Sequence, residues 1–147
     1  MKRKTVCFAL LFLILVSNTA FAANWVYYGR SAIVRGNVFI DSDSVYKSGE
    51  NASYWQLLVY DKPIGTAAKI TTKYEVILAP ARKYRIADSR YYLANNQEDK
   101  EMNEWAEADS TTGKWADSFV GDNIKTKTDF ALKYAKEGQD PGVRPTP

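Results

Sequence analysis

The chain of 147 residues contains no histidine, and its one cysteine, Cys7, lies close to the N-terminus. Without histidine the chain cannot form a Ser-His-Asp triad, a Cys-His pair or an ordinary zinc site. A single cysteine also excludes an internal disulfide. The length corresponds to one domain, which at this size buries about two-thirds of its unfolded surface. We therefore predict a domain that folds without a metal and without a cofactor.

The chain also lacks a charge excess once its N-terminus is set aside. It has 20 Lys and Arg against 17 Asp and Glu, a formal charge of +3. Lys2, Arg3 and Lys4 account for all of that excess, so the remainder has 17 basic and 17 acidic groups. Because contact with phosphates requires surplus positive charge, we expect no nucleic-acid partner.

The first 22 residues have the pattern of an export signal. The three N-terminal cations precede an almost unbroken apolar run over residues 6–16, and Ala20-Phe21-Ala22 offers a small–x–small cleavage site. The run is shorter than the roughly 20 residues that a permanent transmembrane helix needs. Ala23 stands where a lipid anchor would require cysteine. We predict cleavage after Ala22 and no stable membrane span thereafter; an N-terminal membrane anchor is the alternative.

Apolar and polar residues alternate with period two from Trp25 to about Leu93, which is typical of half-buried β-strands. In a tight hairpin Glu75 falls nearly opposite Arg85, which predicts an ion pair worth on the order of a few tenths of a kcal/mol. The alternation slips by one residue near Asp88, and this slip predicts a bulge or bend. The predicted strands cover residues 25–28, 38–41, 53–61, 69–78 and 82–87, and the alternation resumes over residues 89–93.

Helical spacing of apolar residues begins at about Asp122 and predicts a C-terminal helix. Ile124, Ala131 and Tyr134 share one stripe of that helix. Gly138 follows as a stop signal, and residues 139–147 include three prolines and few residues to bury. We predict one domain over residues 23–137 and a flexible tail over residues 138–147.

Residues 97–109 carry six acids, and this composition favours a solvated loop or a short helix pinned to the protein by Trp105. A calcium site built from Glu98, Asp99 and Glu101 is an alternative, although the Asp-x-Asp-x-Asp-Gly ligand order is absent.

Several short motifs follow one another over residues 24–135. The first half contains Val38-Phe39-Ile40-Asp41-Ser42-Asp43-Ser44-Val45, Lys47-Ser48-Gly49, and a Trp55-containing strand that ends in Val59-Tyr60-Asp61-Lys62-Pro63. The second half contains Tyr74-Glu75, Arg82-Lys83-Tyr84-Arg85 and Ser89-Arg90-Tyr91-Tyr92. This ordered series resembles the surface-adhesin protein E family.

The resemblance implies an α+β fold in which an antiparallel sheet of about five to six strands packs against a C-terminal helix. It also implies a non-catalytic envelope protein in the periplasm or on the outer surface of a Gram-negative bacterium. Host extracellular-matrix proteins are partners by the same resemblance. The family usually has two cysteines, where this chain has Leu78 or Ala79 and the region 134–136.

A candidate binding surface comes from the residues of the predicted strands. Tyrosine with arginine is the composition favoured at protein interfaces. We expect Trp25, Trp55, Tyr74 and Tyr84 to lie in the core. The predicted surface consists of Tyr54, Leu58, Tyr60, Lys73, Glu75, Lys83 and Arg85. The alternative is a half-covered sheet face that carries ion pairs and binds nothing.

Three classes of function remain open at this point. The first, which we favour, is a non-catalytic module that binds a protein partner or a second copy of itself. The second is a periplasmic dimer or assembly subunit without a ligand. The third is a glycosidase acting on cell-wall sugars, which needs two carboxylates in one cleft but neither His nor Cys. Its candidate acids are Glu98, Glu101, Glu104 and Glu107.

Overall fold

The computed structural model describes residues 22–80, 82–108, 112–117 and 124–147. The predicted export signal, apart from Ala22, lies outside the described residues. Within the described part, the strands are β1 (Trp25–Ser31), β2 (Gly36–Asp41), β3 (Tyr46–Ser48), β4 (Asn51–Ile64), β5 (Ala67–Ile77), β6 (Lys83–Tyr92), β7 (Ala116–Asp117) and β8 (Lys136–Glu137). The α-helices are α1 (Lys100–Ala108) and α2 (Ile124–Ala131), and short 3-10 helices cover Ser42–Ser44 and Leu132–Tyr134.

The strands form one sheet in the order β1-β2-β4-β5-β6-β7, with β3 paired to both β4 and β8. The pairs along the main path are antiparallel, whereas β3 and β8 are parallel. Strand β2 approaches β4 closely at Gly36, where an added Cβ would lie 2.5 Å from the Val59 carbonyl oxygen. The predicted α+β class, with an antiparallel sheet and a C-terminal helix, is confirmed.

The β5–β6 hairpin has the two features that its sequence predicts. Glu75 is directly opposite Arg85, and the two side chains form an ion pair of 2.6 Å. Lys73 pairs with Asp88 while Tyr74 pairs with Ile86, so Ala87 is an extra residue in β6. This bulge explains why the alternation slips near Asp88, because one inserted residue reverses the faces that follow it.

One sheet face packs on α2, and we call it the helix-covered face. Ile40, Tyr54 and Val76 are buried there among aromatic neighbours. From α2, Ile124 and Ala131 join this core, as their spacing predicts. Tyr134 differs from the prediction and is 36% exposed, because the chain passes into a 3-10 helix at Leu132–Tyr134 and no longer follows the α-helical stripe.

The opposite sheet face carries Trp55, and residues 138–147, the C-terminal segment, lie across it; we call it the tail-covered face. The segment follows β8, and the amide of Gly138 donates to the Lys47 carbonyl at 2.9 Å. Pro145 is buried, and the Trp25 indole donates to the Thr146 carbonyl at 3.0 Å. The sequence prediction gave this segment little to bury, and the structure instead packs it on the sheet.

Helix α1 is held to the sheet by a residue that differs from the predicted one. Trp105 is 64% exposed, whereas Asn103 is buried. The Asn103 side chain accepts a hydrogen bond from the Tyr91 amide at 2.7 Å and donates to the Tyr91 carbonyl at 3.2 Å. Asn103 therefore pairs with the edge of β6 as a neighbouring strand would. None of the helices in the described part of the chain is long and apolar enough to cross a membrane.

Candidate functional site

The structure separates the seven residues of the predicted surface onto two faces of the sheet. Tyr54 and Leu58 are buried on the helix-covered face, where Tyr54 is opposite Tyr74 and Leu58 is opposite Ile70. Tyr60 is half-buried at the end of that same face. Burial and the neighbouring Tyr91 raise the pKa of Tyr60 to about 12. The prediction that these three aromatic and aliphatic side chains share a surface with the charged ones is therefore corrected.

An irregularity in the β4–β5 hairpin causes this separation. Ile64 pairs with Ala67, and regular pairing resumes only at Val59 with Lys69. Residues 60–63 of β4 thus face only Ala68 of β5, an excess of three residues. Side chains alternate between the two faces of a strand with period two. An odd number of extra residues in β4 therefore moves its side chains to the opposite face relative to those of β5. If the pairing at Ile64 continued without a shift, Leu58 would lie opposite Lys73, as the prediction requires.

The charged members of the predicted surface do lie together, on the tail-covered face. Lys73, Glu75 and Arg85 project from adjacent positions of β5 and β6. Lys83 is exposed at the start of β6, opposite Asp117 of the short edge strand β7. Four of the seven predicted residues therefore belong to one side of the molecule.

A groove of about 340 Å³ opens beside this charged group, and we call it the Arg85 groove. Its lining includes Glu75 and Arg85 of the sheet, Trp115, and Asp140 of the C-terminal segment. The guanidinium of Arg85 sits 4.9 Å from the centre of the Trp115 ring, within the range of a cation–π interaction. Trp115 is 43% exposed and the Arg85 side chain 37%, so a partner can reach both.

The sequence prediction missed Trp115 and Asp140. Trp115 follows a glycine turn and belongs to no alternating or helical pattern, so a lone aromatic residue was the only signal. Asp140 lies in the proline-containing segment that was expected to be flexible. The available signal for Asp140 was that it and Arg144, four residues later, place two opposite charges in this segment.

Two pairs of opposite charges join the C-terminal segment to the sheet. Asp140 accepts from Lys73 Nζ at 2.7 Å and from Ser53 Oγ at 3.0 Å. Arg144 donates to Asp88 Oδ2 through Nη2 at 2.5 Å and through Nε at 3.0 Å. Since Lys73 and Asp88 are direct cross-strand neighbours, the sheet presents one cation and one anion side by side.

The acids considered for glycosidase chemistry lie on the exposed surface, away from the Arg85 groove. Glu107 forms an ion pair of 2.7 Å with Arg90, and Glu98 lies 3.9 Å from Arg144. Glu101 and Glu104 are exposed on α1. The structure does not bring these four carboxylates to the walls of that groove.

The acids considered for calcium binding do not form a metal site in the structure. Asp99 is buried at the start of α1, where its carboxylate accepts from the Met102 amide at 3.1 Å and from Thr66 Oγ1 at 2.6 Å. It therefore acts as the helix N-cap. Among the described residues, no group of three or more His, Cys, Asp or Glu side chains could hold a metal ion.

Comparison with known proteins identifies no relative of this chain. No protein-family model matches the chain, no curated protein sequence matches it, and no solved structure matches it. The resemblance to the surface-adhesin protein E family thus depends on the ordered motifs alone and stays a prediction.

Proposed function

We propose that the chain is an exported, non-catalytic protein-binding module of surface-adhesin E type in the envelope of a Gram-negative bacterium. The ordered motifs and the export-signal pattern of the first 22 residues support the family and the compartment. The α+β architecture agrees with the fold that the resemblance implies. The observation that carries the binding function is the Arg85 groove, in which an exposed tryptophan lies against a half-exposed arginine.

The composition of the groove suits contact with another protein. Tryptophan and arginine, together with tyrosine, are enriched at the energetically important positions of protein interfaces. Arg85 is already oriented by Glu75 and by the Trp115 ring, so little side-chain entropy is lost when a partner covers it. Asn51 and Gln139, which are exposed and also line the groove, add amide groups that can pair with a partner's backbone.

A binding experiment with a matched control tests the proposed site. Solubilised basement-membrane matrix, immobilised on a biosensor surface, serves as the probe. We expect Trp115→Ala to weaken binding at least ten-fold, while Trp105→Ala, which removes an exposed tryptophan of α1, leaves it unchanged. Equal binding by both folded variants and the unaltered protein would remove the Arg85 groove as the site.

Protease accessibility tests the proposed class of partner. If the protein meets host matrix, protease added to intact cells should digest it. Digestion only in spheroplasts, after the outer membrane is disrupted, would place the protein in the periplasm and exclude a direct host contact.

A further inference from the structure

The C-terminal segment is attached to the tail-covered face as a small ligand would be, through charged anchors and one buried residue. We propose that this face is a docking surface for a short peptide that presents an aspartate at a turn and an arginine four residues later, and that the chain's own C-terminal segment fills it in the unbound protein. This proposal rests on the protein-binding function proposed above and names the kind of partner.

The aspartate anchor is built by three donors. Asp140 Oδ2 receives Lys73 Nζ and Ser53 Oγ, while its Oδ1 receives the Gly142 amide at 2.7 Å and closes a turn over Pro141. The side chains of Lys73 and Asp140 are only 14% and 13% exposed. A carboxylate with this many donors in a poorly hydrated place is held more strongly than one in a surface ion pair.

The arginine anchor gives the bound peptide a direction. Arg144 binds Asp88 through two nitrogens and also lies 3.9 Å from Glu98. Because the sheet offers the cation of Lys73 beside the anion of Asp88, a peptide must place its acid on β5 and its base on β6. A peptide with the reversed order would place like charges together, which costs affinity.

Most of the segment outside the two anchors is exposed, which favours its exchange. Pro145 is buried and Thr146 accepts from the Trp25 indole, but Pro141, Gly142 and Val143 are exposed. Because the segment is joined to the sheet through β8, its effective concentration at the tail-covered face is on the order of millimolar. Modest contacts therefore suffice to hold it there. A free peptide that makes the same contacts must compete with that concentration.

Peptide binding to the folded protein tests the inference. The probe is a fluorescein-labelled synthetic peptide with the sequence of residues 138–147, measured by fluorescence anisotropy. The variant Asp140→Ala/Arg144→Ala loses both anchors of its own segment but keeps Lys73 and Asp88. We expect it to bind the peptide at least ten-fold more tightly than the unaltered protein does. A control peptide with its aspartate and arginine exchanged should bind neither protein.

Equal binding by variant and unaltered protein, or no binding to the variant at millimolar peptide, would overturn the proposal. A second measurement avoids dependence on the double variant's folding. A nitroxide on Val143→Cys, in a Cys7→Ser background, should give an immobilised spectrum that becomes mobile when excess peptide is added. A label that is mobile from the start, or that millimolar peptide leaves immobilised, would contradict the docked segment or its exchange.

These results separate the two proposals. Neither measurement uses Trp115, so peptide binding can succeed when the Trp115→Ala experiment fails. In that case the Arg85 groove is not the site, while the docking surface stands. The reverse outcome would leave the groove and remove the docking surface.

Discussion

The two faces of the sheet are covered in different ways. On the helix-covered face, apolar and aromatic side chains of α2 and the strands bury one another, with Ile40 and Tyr54 at the centre. On the tail-covered face, a segment of ten residues is held through three ion pairs, hydrogen bonds and one buried proline. Each cover shields an aromatic residue from water: Tyr54 on the helix-covered face and Trp55 on the tail-covered face are both 1% exposed.

The difference indicates which cover can be exchanged. Burying one large apolar side chain contributes roughly 1.5–3 kcal/mol, and several such side chains act together under α2. Exposed ion pairs contribute about 0–1 kcal/mol each, and the net gain from a shielded pair is limited because its two charges must be desolvated. We therefore expect α2 to leave the sheet only when the domain unfolds, whereas the C-terminal segment can leave while the sheet stays folded.

The largest effect should come from a cavity under α2. Ile40 is fully buried, so Ile40→Ala removes apolar contacts and leaves a void that the core fills only in part. We expect it to lower the free energy of unfolding by about 2–5 kcal/mol, measured from urea denaturation curves. The control Ile33→Ala, at a position 75% exposed, should change the same free energy by no more than about 0.5 kcal/mol. Similar losses from both variants would refute the central role of this face.

An intermediate effect should come from the ion pair between Lys73 and Asp140. A double-mutant cycle with Lys73→Ala and Asp140→Ala should give a coupling free energy of about 1–2 kcal/mol, because both side chains are mostly shielded from water. The same cycle on Arg90 and Glu107, whose carboxylate is largely exposed, should give about 0–0.5 kcal/mol. If the two couplings are equal, the C-terminal segment is not anchored as the structure indicates.

A smaller effect on stability should come from the buried Tyr54 phenol of the helix-covered face in alkaline solution. Burial raises the pKa of the Tyr54 phenol above its usual value near 10. Below pH 10 both folded and unfolded chains keep this proton, and above it the unfolded chain releases the proton first, so stability falls as pH rises. Tyr54→Phe should cost about 1 kcal/mol at pH 8, because its hydroxyl bond to Thr128 is lost.

The same variant should also lose stability less steeply than the unaltered protein between pH 10 and pH 12. Urea denaturation across this pH range measures both slopes. Parallel slopes would show that the Tyr54 phenol has the same pKa in the folded and unfolded chains.

The smallest effect should be the response of the C-terminal segment to salt. At about 0.5 M salt the Debye length is roughly 4 Å, which weakens the Arg144–Asp88 pair. The Gly142 amide should exchange faster in salt, and its free energy of local opening, measured by hydrogen exchange with NMR, should fall by less than about 1 kcal/mol. Amides at the centre of β4 and β5 should be unchanged. A parallel loss of protection in the sheet would show that segment and sheet open together.

Much of the fold follows from local patterns in the sequence. Alternation locates the main strands because a half-buried strand needs apolar residues on one side only. The β5–β6 hairpin is short, so sequence separation alone places Glu75 opposite Arg85, and the one-residue slip gives the bulge at Ala87. The helical stripe of Ile124 and Ala131 is local for the same reason.

The candidate site could be predicted only in part. The charged residues of β5 and β6 belong together because their hairpin is regular up to the bulge. Tyr54 and Leu58 were assigned to the same surface because nothing local shows that β4 carries three extra residues opposite Ala68. Trp115 and Asp140 reach the groove from segments without periodicity, and long-range contacts alone place them there.

By itself, the sequence determined the absence of histidine and disulfide chemistry, the neutral charge beyond Lys4, and the order of the five longer strands and the C-terminal helix along the chain. These properties depend on composition or on neighbours a few residues apart. The tertiary structure decided which strand faces match and that residues 138–147 cover the second face. Both depend on strand register and on contacts between residues as distant as Trp25 and Thr146, which no local pattern of side chains specifies.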